Sequence, residues 1–357
     1  MKRAIACVAL FTVLAPGALA QAPNAALRAM AEAQVRSGAV PGMVIGTISA
    51  SEVRVEGYGA LSRARPGRPD ADTVYEIGSL TKTFTALLLA DAVARGTLTL
   101  DDPVARLLPA YRISAFGARQ VTLLDLATQT SGLPRLPGNM APASMENPYA
   151  DYSGAMLKAF LGSHALGRAP GATYEYSNLG FGLLGTALAA HAGKDYAALL
   201  GERITGPLGM RSTAVALSDD MRARLAPGHD ASGKPVANWD FDSLAGAGAI
   251  RSTVPDMLRY LRAMMNPASA AALPGLRLVQ QPQRPAGTSG GQIALAWQIR
   301  QMGEHKVVWH NGMTGGYASF MAFTSDGTRG VVVVANGASS VDAVGFAALL
   351  PQRAAPA

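Results

Sequence analysis

Cysteine is almost missing: the 357 residues contain one, Cys7, close to the N-terminus. Beyond that position the chain has no disulfide, no thiolate nucleophile and no cysteine metal site. Charge is also sparse. Only 15% of residues are Asp, Glu, Lys or Arg, against 49% hydrophobic, a globular balance with enough apolar material for a sizeable core. The five histidines, at 164, 191, 229, 305 and 310, show no H-E-x-x-H or other ligand spacing, so no metal and no cofactor are expected. The formal charge of +7 comes from scattered arginines and lysines. No basic run is interleaved with aromatics, which argues against nucleic acid as a partner. After residue 20 no stretch is long and apolar enough to span a membrane.

What the N-terminus does have is a leader pattern. Lys2-Arg3 precede an apolar run from Ala4 to Leu14, and Ala18-Leu19-Ala20 is an A-x-A cleavage signal. Residues 1–20 are therefore expected to be a signal peptide, giving a periplasmic or secreted protein. Cys7 precedes most of the apolar run and is badly placed for lipid attachment.

Patterning in the rest changes twice. A helix is expected over residues 22–37, ending at Gly38, followed by strands at Gly42 to Ile48 and Val53 to Tyr58 that form a hairpin. A mainly helical region follows. Its first helix starts near Ser79 and stops at Arg95-Gly96. Thr122-Leu123-Leu124-Asp125 is a capping-box start for a short helix ending at Ser131-Gly132. Leu133 to Pro148 carries four prolines and no periodicity, so it is a loop of the kind that often lines a site. Helices are expected at Tyr152 to Leu161, Leu179 to Ala192 and Met257 to Met265, and a connection over Asn266 to Gly291. Four strands then come in series, Ile293 to Ile299, Lys306 to Trp309, Ala318 to Thr324 and Gly330 to Ala335, before a last helix from Val341 to Leu350.

Three short words carry candidate chemistry. Ser79-Leu80-Thr81-Lys82 puts a hydroxyl and an amine one turn apart at a helix start, where free backbone N–H groups also point. A nucleophile, its base and oxyanion donors can meet there. Alone the word is weak, since Ser-x-x-Lys arises by chance about once or twice in a chain this long and also describes an exposed lysine on a capped helix. Tyr176-Ser177-Asn178 precedes a helix and can point a phenol and a carboxamide into one cleft. The phenol can serve as a general base where cations lower its pKa. A packing tyrosine and an N-cap asparagine would look the same. His310-Asn311-Gly312 closes the strand Val307-Val308-Trp309. The histidine supplies a donor or a cation, and the glycine lets a ligand approach the backbone. His191-Ala192-Gly193 has the same form, but its glycine reads as a helix cap.

In this order, the three words resemble the serine β-lactamase and penicillin-binding-protein family. Val74 to Leu100, Leu123 to Leu133, Tyr174 to Gly180 and Trp309 to Tyr317 resemble its class C branch, with that branch's esterase and D-Ala-D-Ala peptidase relatives. The resemblance implies a mixed α/β fold: an antiparallel sheet built from both chain ends, flanked by helices, with an all-helical domain inserted. The expected division is residues 21–78 plus 250–357 for the sheet domain and 79–249 for the helical one, with the site in the groove between. It also implies roles: Ser79 as nucleophile, Lys82 as its activator, and Tyr176 as base or proton shuttle for acylation and for the deacylating water. Asn178 would contact the substrate amide side chain, His310 and Gly312 would line the substrate, and the amides of Ser79 and Met313 would form the oxyanion hole. The substrate would be a small molecule and the protein a monomer.

Two departures bear on the substrate. Where the family usually has Lys-Thr-Gly, this chain has His310-Asn311-Gly312, and a neutral histidine attracts a carboxylate less than lysine does. The loop Leu133-Pro134-Arg135-Leu136-Pro137 also lacks the glutamine common in class C enzymes. The implied function is a β-lactamase working through an acyl-serine. A carboxylesterase or D-alanyl-D-alanine carboxypeptidase is the main alternative, and a non-turnover penicillin-binding module the third. No Glu-x-x-Leu-Asn is present, so water activation would fall to Tyr176. The leader makes one direct prediction: Edman sequencing or mass spectrometry of the exported protein should find Gln21 as the first residue, and retention of Met1 would contradict it.

Overall fold

Two runs of β-branched residues from opposite ends of the chain lie side by side. In the computed structural model, which describes residues 25–350 other than Ser51, Arg63, Thr288 and Ser289, Val44 pairs with Val334 and Ile45 with Val333. The expected leader lies outside the described residues. The strands are β1 Gly42–Ser49, β2 Val53–Gly59, β3 Tyr75–Glu76, β4 Arg251–Ser252, β5 Arg284–Ala286, β6 Gly291–Ile293, β7 Gln298–Met302, β8 His305–Met313, β9 Ala318–Thr324 and β10 Arg329–Ala335. Eight of them form one antiparallel sheet in the order β2-β1-β10-β9-β8-β7-β6-β5, while β3 and β4 pair separately. The fold is thus a mixed α/β one whose sheet uses strands from both chain ends.

The helices are α1 Ala25–Arg36, α2 Thr81–Ala94, α3 Val104–Leu107, α4 Leu123–Ala127, α5 Gly154–Ser163, α6 Asn178–Ala192, α7 Tyr196–Leu200, α8 Asp219–Arg224, α9 Ala245–Gly248, α10 Val254–Met265 and α11 Asp342–Leu349. Because both faces of the sheet are covered, its central strands are apolar on both sides. Val44, Ile48, Met321, Phe323, Val332 and Val334 join the core shared with α10 and the helical region. Met43, Ile45, Phe320, Val331 and Val333 face the layer made by α1 and α11. α2 is buried nearly all round, as an apolar helix in the middle of a large core must be.

The seam between sheet and helices is fastened by buried charge. Glu76 on β3 pairs with Arg251 on β4. The Arg251 guanidinium lies 3.6 Å from Glu76 and 3.0 Å from Asp240, and Glu76 also accepts the Trp239 N–H at 2.9 Å. Asp125, capping α4, is fully buried and meets Arg119 at 2.9 Å and Arg284 of β5 at 2.9 Å. This second pair joins the helical region to the outermost strand of the sheet.

Several sequence expectations need correction. Ile293 to Ile299 is not one strand but β6 and β7 with a tight turn between them. Ala296 adopts φ +66°, and its N–H bonds to Ala127 O at 2.8 Å, so contact with α4 overrides the apolar run. The connection over 266–291 contains β5, which pairs with β6 despite Pro285, a residue tolerated at a sheet edge. α4 stops at Ala127 rather than near Ser131. The strand expected at Lys306 to Trp309 runs on to Met313, so His310-Asn311-Gly312 lies within β8 and not after it.

Asp125→Ala should lower stability by about 3–5 kcal/mol, because it leaves Arg119 and Arg284 without their buried carboxylate and removes the Asp125 half of the α4 capping box. Urea unfolding measures this, and a loss below about 1 kcal/mol would show that the pair does not fasten the two regions.

Candidate active site

The first turn before α2 is bent by Gly78, whose φ of +50° a side chain would strain. Gly78 to Leu80 form a 3-10 turn that runs directly into α2. This puts Ser79 at the mouth of the turn and Lys82 one turn further on. Lys82 is fully buried. Its Nζ lies 3.0 Å from Ser79 Oγ, 2.8 Å from Asn178 Oδ1 and 2.8 Å from the carbonyl of Ala247.

These contacts agree with the electrostatics. Burial, reinforced by the nearby Arg135 charge, holds the Lys82 amine well below the usual lysine pKa. A neutral amine has two N–H groups and one lone pair. Asn178 and Ala247 offer only acceptors, so they take the two hydrogens. The lone pair is then left facing the Ser79 hydroxyl, the arrangement a general base requires.

Tyr176 reaches the same serine from the other side, its O–H donating to Ser79 Oγ at 2.6 Å. The expectation that its pKa is depressed fails. Burial pushes it up, and the bond to Ser79 and the Arg135 charge only partly oppose this. Tyr176 is a neutral phenol in the resting site, fit to relay a proton but not to take one as a standing phenolate. The Arg135 guanidinium sits 5.0 Å from the centre of its ring. Asn178 opens α6, and its Nδ2 donates to Tyr149 OH at 3.2 Å.

β8 supplies the opposite wall. A Cβ built on Gly312 would fall 2.9 Å from Ser79 N and against the Ile77 carbonyl; one built on Gly78 would fall 2.8 Å from Met313 N. The 3-10 turn and β8 therefore touch backbone to backbone, which only glycine permits at both places. Thr314 N–H bonds to Tyr317 O at 3.0 Å, so by antiparallel alternation the Met313 N–H faces away from β9. β7 pairing ends at Trp309, which leaves that N–H without a ladder partner, close to the N–H of Ser79.

His310 occupies the same face of β8 as Gly312 but is only 2% exposed. Its Nδ1 lies 2.6 Å from Asn311 O. Burial lowers its pKa to about 4, against a smaller upward pull from the Asn311 carbonyl. Of the donor and cation alternatives, the cation is removed: His310 is neutral at physiological pH. Asn311 points to the other face and donates to Asp342 at 2.7 Å.

The structure thus brings Ser79, Lys82, Tyr176, Asn178, Gly312 and Met313 together in one cluster, with His310 buried beside it. Other contributors carried weaker signals. Ala247 acts through a main-chain carbonyl, which no residue type announces. Arg135 lies in the proline-rich loop expected to line a site. Tyr149, Trp239 and Phe241 form an aromatic wall beside Asn178, with Tyr149 and Phe241 stacked at 4.5 Å and the Trp239 indole against Gly315. Among the described residues, no group of three or more His, Cys, Asp or Glu is placed to hold a metal ion, and no helix is long and apolar enough to cross a membrane.

A family model described as Beta-lactamase matches residues 27–353. The D-alanyl-D-alanine-carboxypeptidase/endopeptidase AmpH of Escherichia coli is 36% identical over 234 residues, covering 63% of this chain and 57% of that protein. A Beta-lactamase of Pseudomonas fluorescens is 27% identical over 329 residues, covering 83% of this chain and 88% of the other. The crystal structure of a class C beta lactamase from Rhodobacter sphaeroides superposes with a TM-score of 0.78 at 26% identity, covering 91% of this chain and 98% of that one.

The Lys82 geometry makes a prediction about stability. With its pKa held well below the usual 10.5, the amine binds fewer protons folded than unfolded, so folding releases protons and its contribution grows with pH up to 10.5. Wild type should therefore gain stability relative to Lys82→Met as pH rises from 7 to 10, by at most about 1.4 kcal/mol per pH unit. Denaturant titrations at several pH values measure the difference. A constant difference would mean that Lys82 is protonated in the folded protein.

Proposed function

The chain belongs to the Beta-lactamase family, and on that basis we propose that it is a serine hydrolase that opens β-lactams through an acyl-enzyme at Ser79. The carrying observation is the three-way contact of Lys82 Nζ with Ser79, Asn178 and Ala247. Ser79 Oγ attacks the lactam carbonyl as its proton passes to the Lys82 lone pair. The oxyanion forms between the N–H groups of Ser79 and Met313. The C–N bond breaks as Tyr176 gives its O–H proton to the leaving nitrogen, and the proton held by Lys82 restores the phenol. A water then attacks the ester carbonyl and gives its proton to the Tyr176–Lys82 pair, which passes it to Ser79 Oγ as the acyl–oxygen bond breaks and the product leaves. Asn178 and Tyr149 line the side where an amide-bearing acyl group would lie.

β-Lactams are favoured as substrates by the relatives matched over most of both chains, the Pseudomonas fluorescens Beta-lactamase and the Rhodobacter sphaeroides class C structure. A second reading, a D-alanyl carboxypeptidase or esterase, is supported by two observations. His310 is neutral and buried where the family's β-lactamases usually have a lysine, and the AmpH relative is more identical over its shorter match. Both readings use the same acylation steps and differ in the leaving group. We also propose that residues 1–20 direct export, which would put the enzyme where cell-wall peptides and β-lactams are met.

Purified protein and its Ser79→Ala variant, assayed on a chromogenic cephalosporin and a short-chain nitrophenyl ester, test this. The expected result is turnover of the cephalosporin, reduced by roughly 1,000-fold or more in the variant. Turnover of the ester alone would favour the second reading, and an equally active Ser79→Ala would refute the serine mechanism.

A further inference from the structure

Gln129 is one of only two non-glycine residues with positive φ among the described residues, at +59°. Such a conformation is costly for a residue with a side chain and persists where surrounding contacts enforce it. It lies just past the end of α4, is 2% exposed, and donates its own N–H to Leu126 O at 3.2 Å. With the helix finished, its carbonyl serves another segment, accepting the Glu175 N–H at 2.7 Å. Its side-chain Oε1 accepts the Ser177 N–H at 2.7 Å.

One residue therefore holds the backbone immediately before and immediately after Tyr176. Ser177 is extended, with φ −131° and ψ 113°, and in an extended segment the N–H groups of residues two apart point the same way. The two carbonyls of Gln129 receive that pair as a neighbouring strand would. Adjacent contacts continue the fastening: Gly171 N–H bonds to Thr130 O at 2.7 Å, Asn178 N–H to Arg135 O at 2.9 Å, and Ser177 Oγ donates to Pro134 O at 2.6 Å. Of these contacts only those of Gln129 bracket Tyr176 on both sides, and its hold on the Ser177 N–H depends on its side chain.

We propose that Gln129 is a positioning residue for acyl transfer: it fixes the Tyr176 backbone so that the phenol stays within 2.6 Å of Ser79 Oγ. The inference rests on the serine-hydrolase reading and deepens it. A longer hydrocarbon cannot replace Gln129, since the contact requires an acceptor. A shorter amide would not reach, and a glycine would accept the backbone angle but lose the Ser177 bond.

The test uses Gln129→Met, which keeps length without an acceptor, Gln129→Glu, which keeps the acceptor, and Gln129→Gly, which relieves the backbone. Each is assayed on whichever of the cephalosporin and the nitrophenyl ester the wild type turns over. Gln129→Met should lower kcat roughly 10- to 100-fold with KM within about twofold of wild type. Gln129→Glu should recover kcat to within roughly fivefold of wild type. Gln129→Gly should be as slow as Gln129→Met without melting at a lower temperature, separating position from stability. Wild-type kcat in the Met and Gly variants, or a Glu variant as slow as the Met one, would overturn the proposal. Ser79→Ala in the same assay keeps the two questions apart. If it is inactive while Gln129→Met is at wild-type rate, only this inference falls; if it is fully active, the serine reading falls with it.

Discussion

A lysine amine buried without a carboxylate is an expensive thing to keep in a protein, and here it is kept by three oxygen atoms. Two of them, the Asn178 amide and the Ala247 carbonyl, can only accept, so the amine spends both hydrogens on them and turns its lone pair to Ser79. Burial alone would favour the neutral amine, and Arg135 adds to that preference. The three partners stand on different elements: Ser79 on the 3-10 turn, Asn178 at the start of α6, and Ala247 in α9. Holding the amine in place therefore requires the sheet seam and the helical region to be assembled together.

The sheet contributes through its backbone more than its side chains. Gly78 and Gly312 let the 3-10 turn and β8 touch, which leaves the N–H groups of Ser79 and Met313 together at an unpaired strand edge. His310, on the same strand, is neutral and buried. An exposed cation beside the Tyr176 phenol is instead Arg135, stacked on its ring. Positive charge thus reaches the site from the loop between α4 and α5, where it also acts on the Tyr176 and Lys82 equilibria.

Much of this arrangement is legible in the chain. The Ser79–Lys82 spacing, the capping box at Thr122 and Asp125, and the β-branched runs at β1 and β10 follow from local periodicity and side-chain chemistry, and the structure realises all of them. What stays hidden depends on tertiary context. The β6–β7 hairpin looks like one apolar strand because its turn is imposed by α4 through the Ala296 N–H. Tyr176 sits near a cation, as expected of a tyrosine with a low pKa, yet burial outweighs that charge and reverses the shift. The Ala247 carbonyl and the left-handed Gln129 leave no signature, because a main-chain acceptor or a backbone angle is not written in residue type.

The most direct test of the central claim, that a neutral Lys82 makes Ser79 the acyl acceptor, is mass spectrometry of acid-quenched reactions. Protein mixed with a β-lactam or activated ester that it turns over would be stopped within milliseconds and digested. The account predicts a covalent acyl adduct on the peptide containing Ser79, present in wild type and absent from Lys82→Met under the same mixing time. An adduct on another residue, or one that forms at the wild-type rate in Lys82→Met, would contradict it.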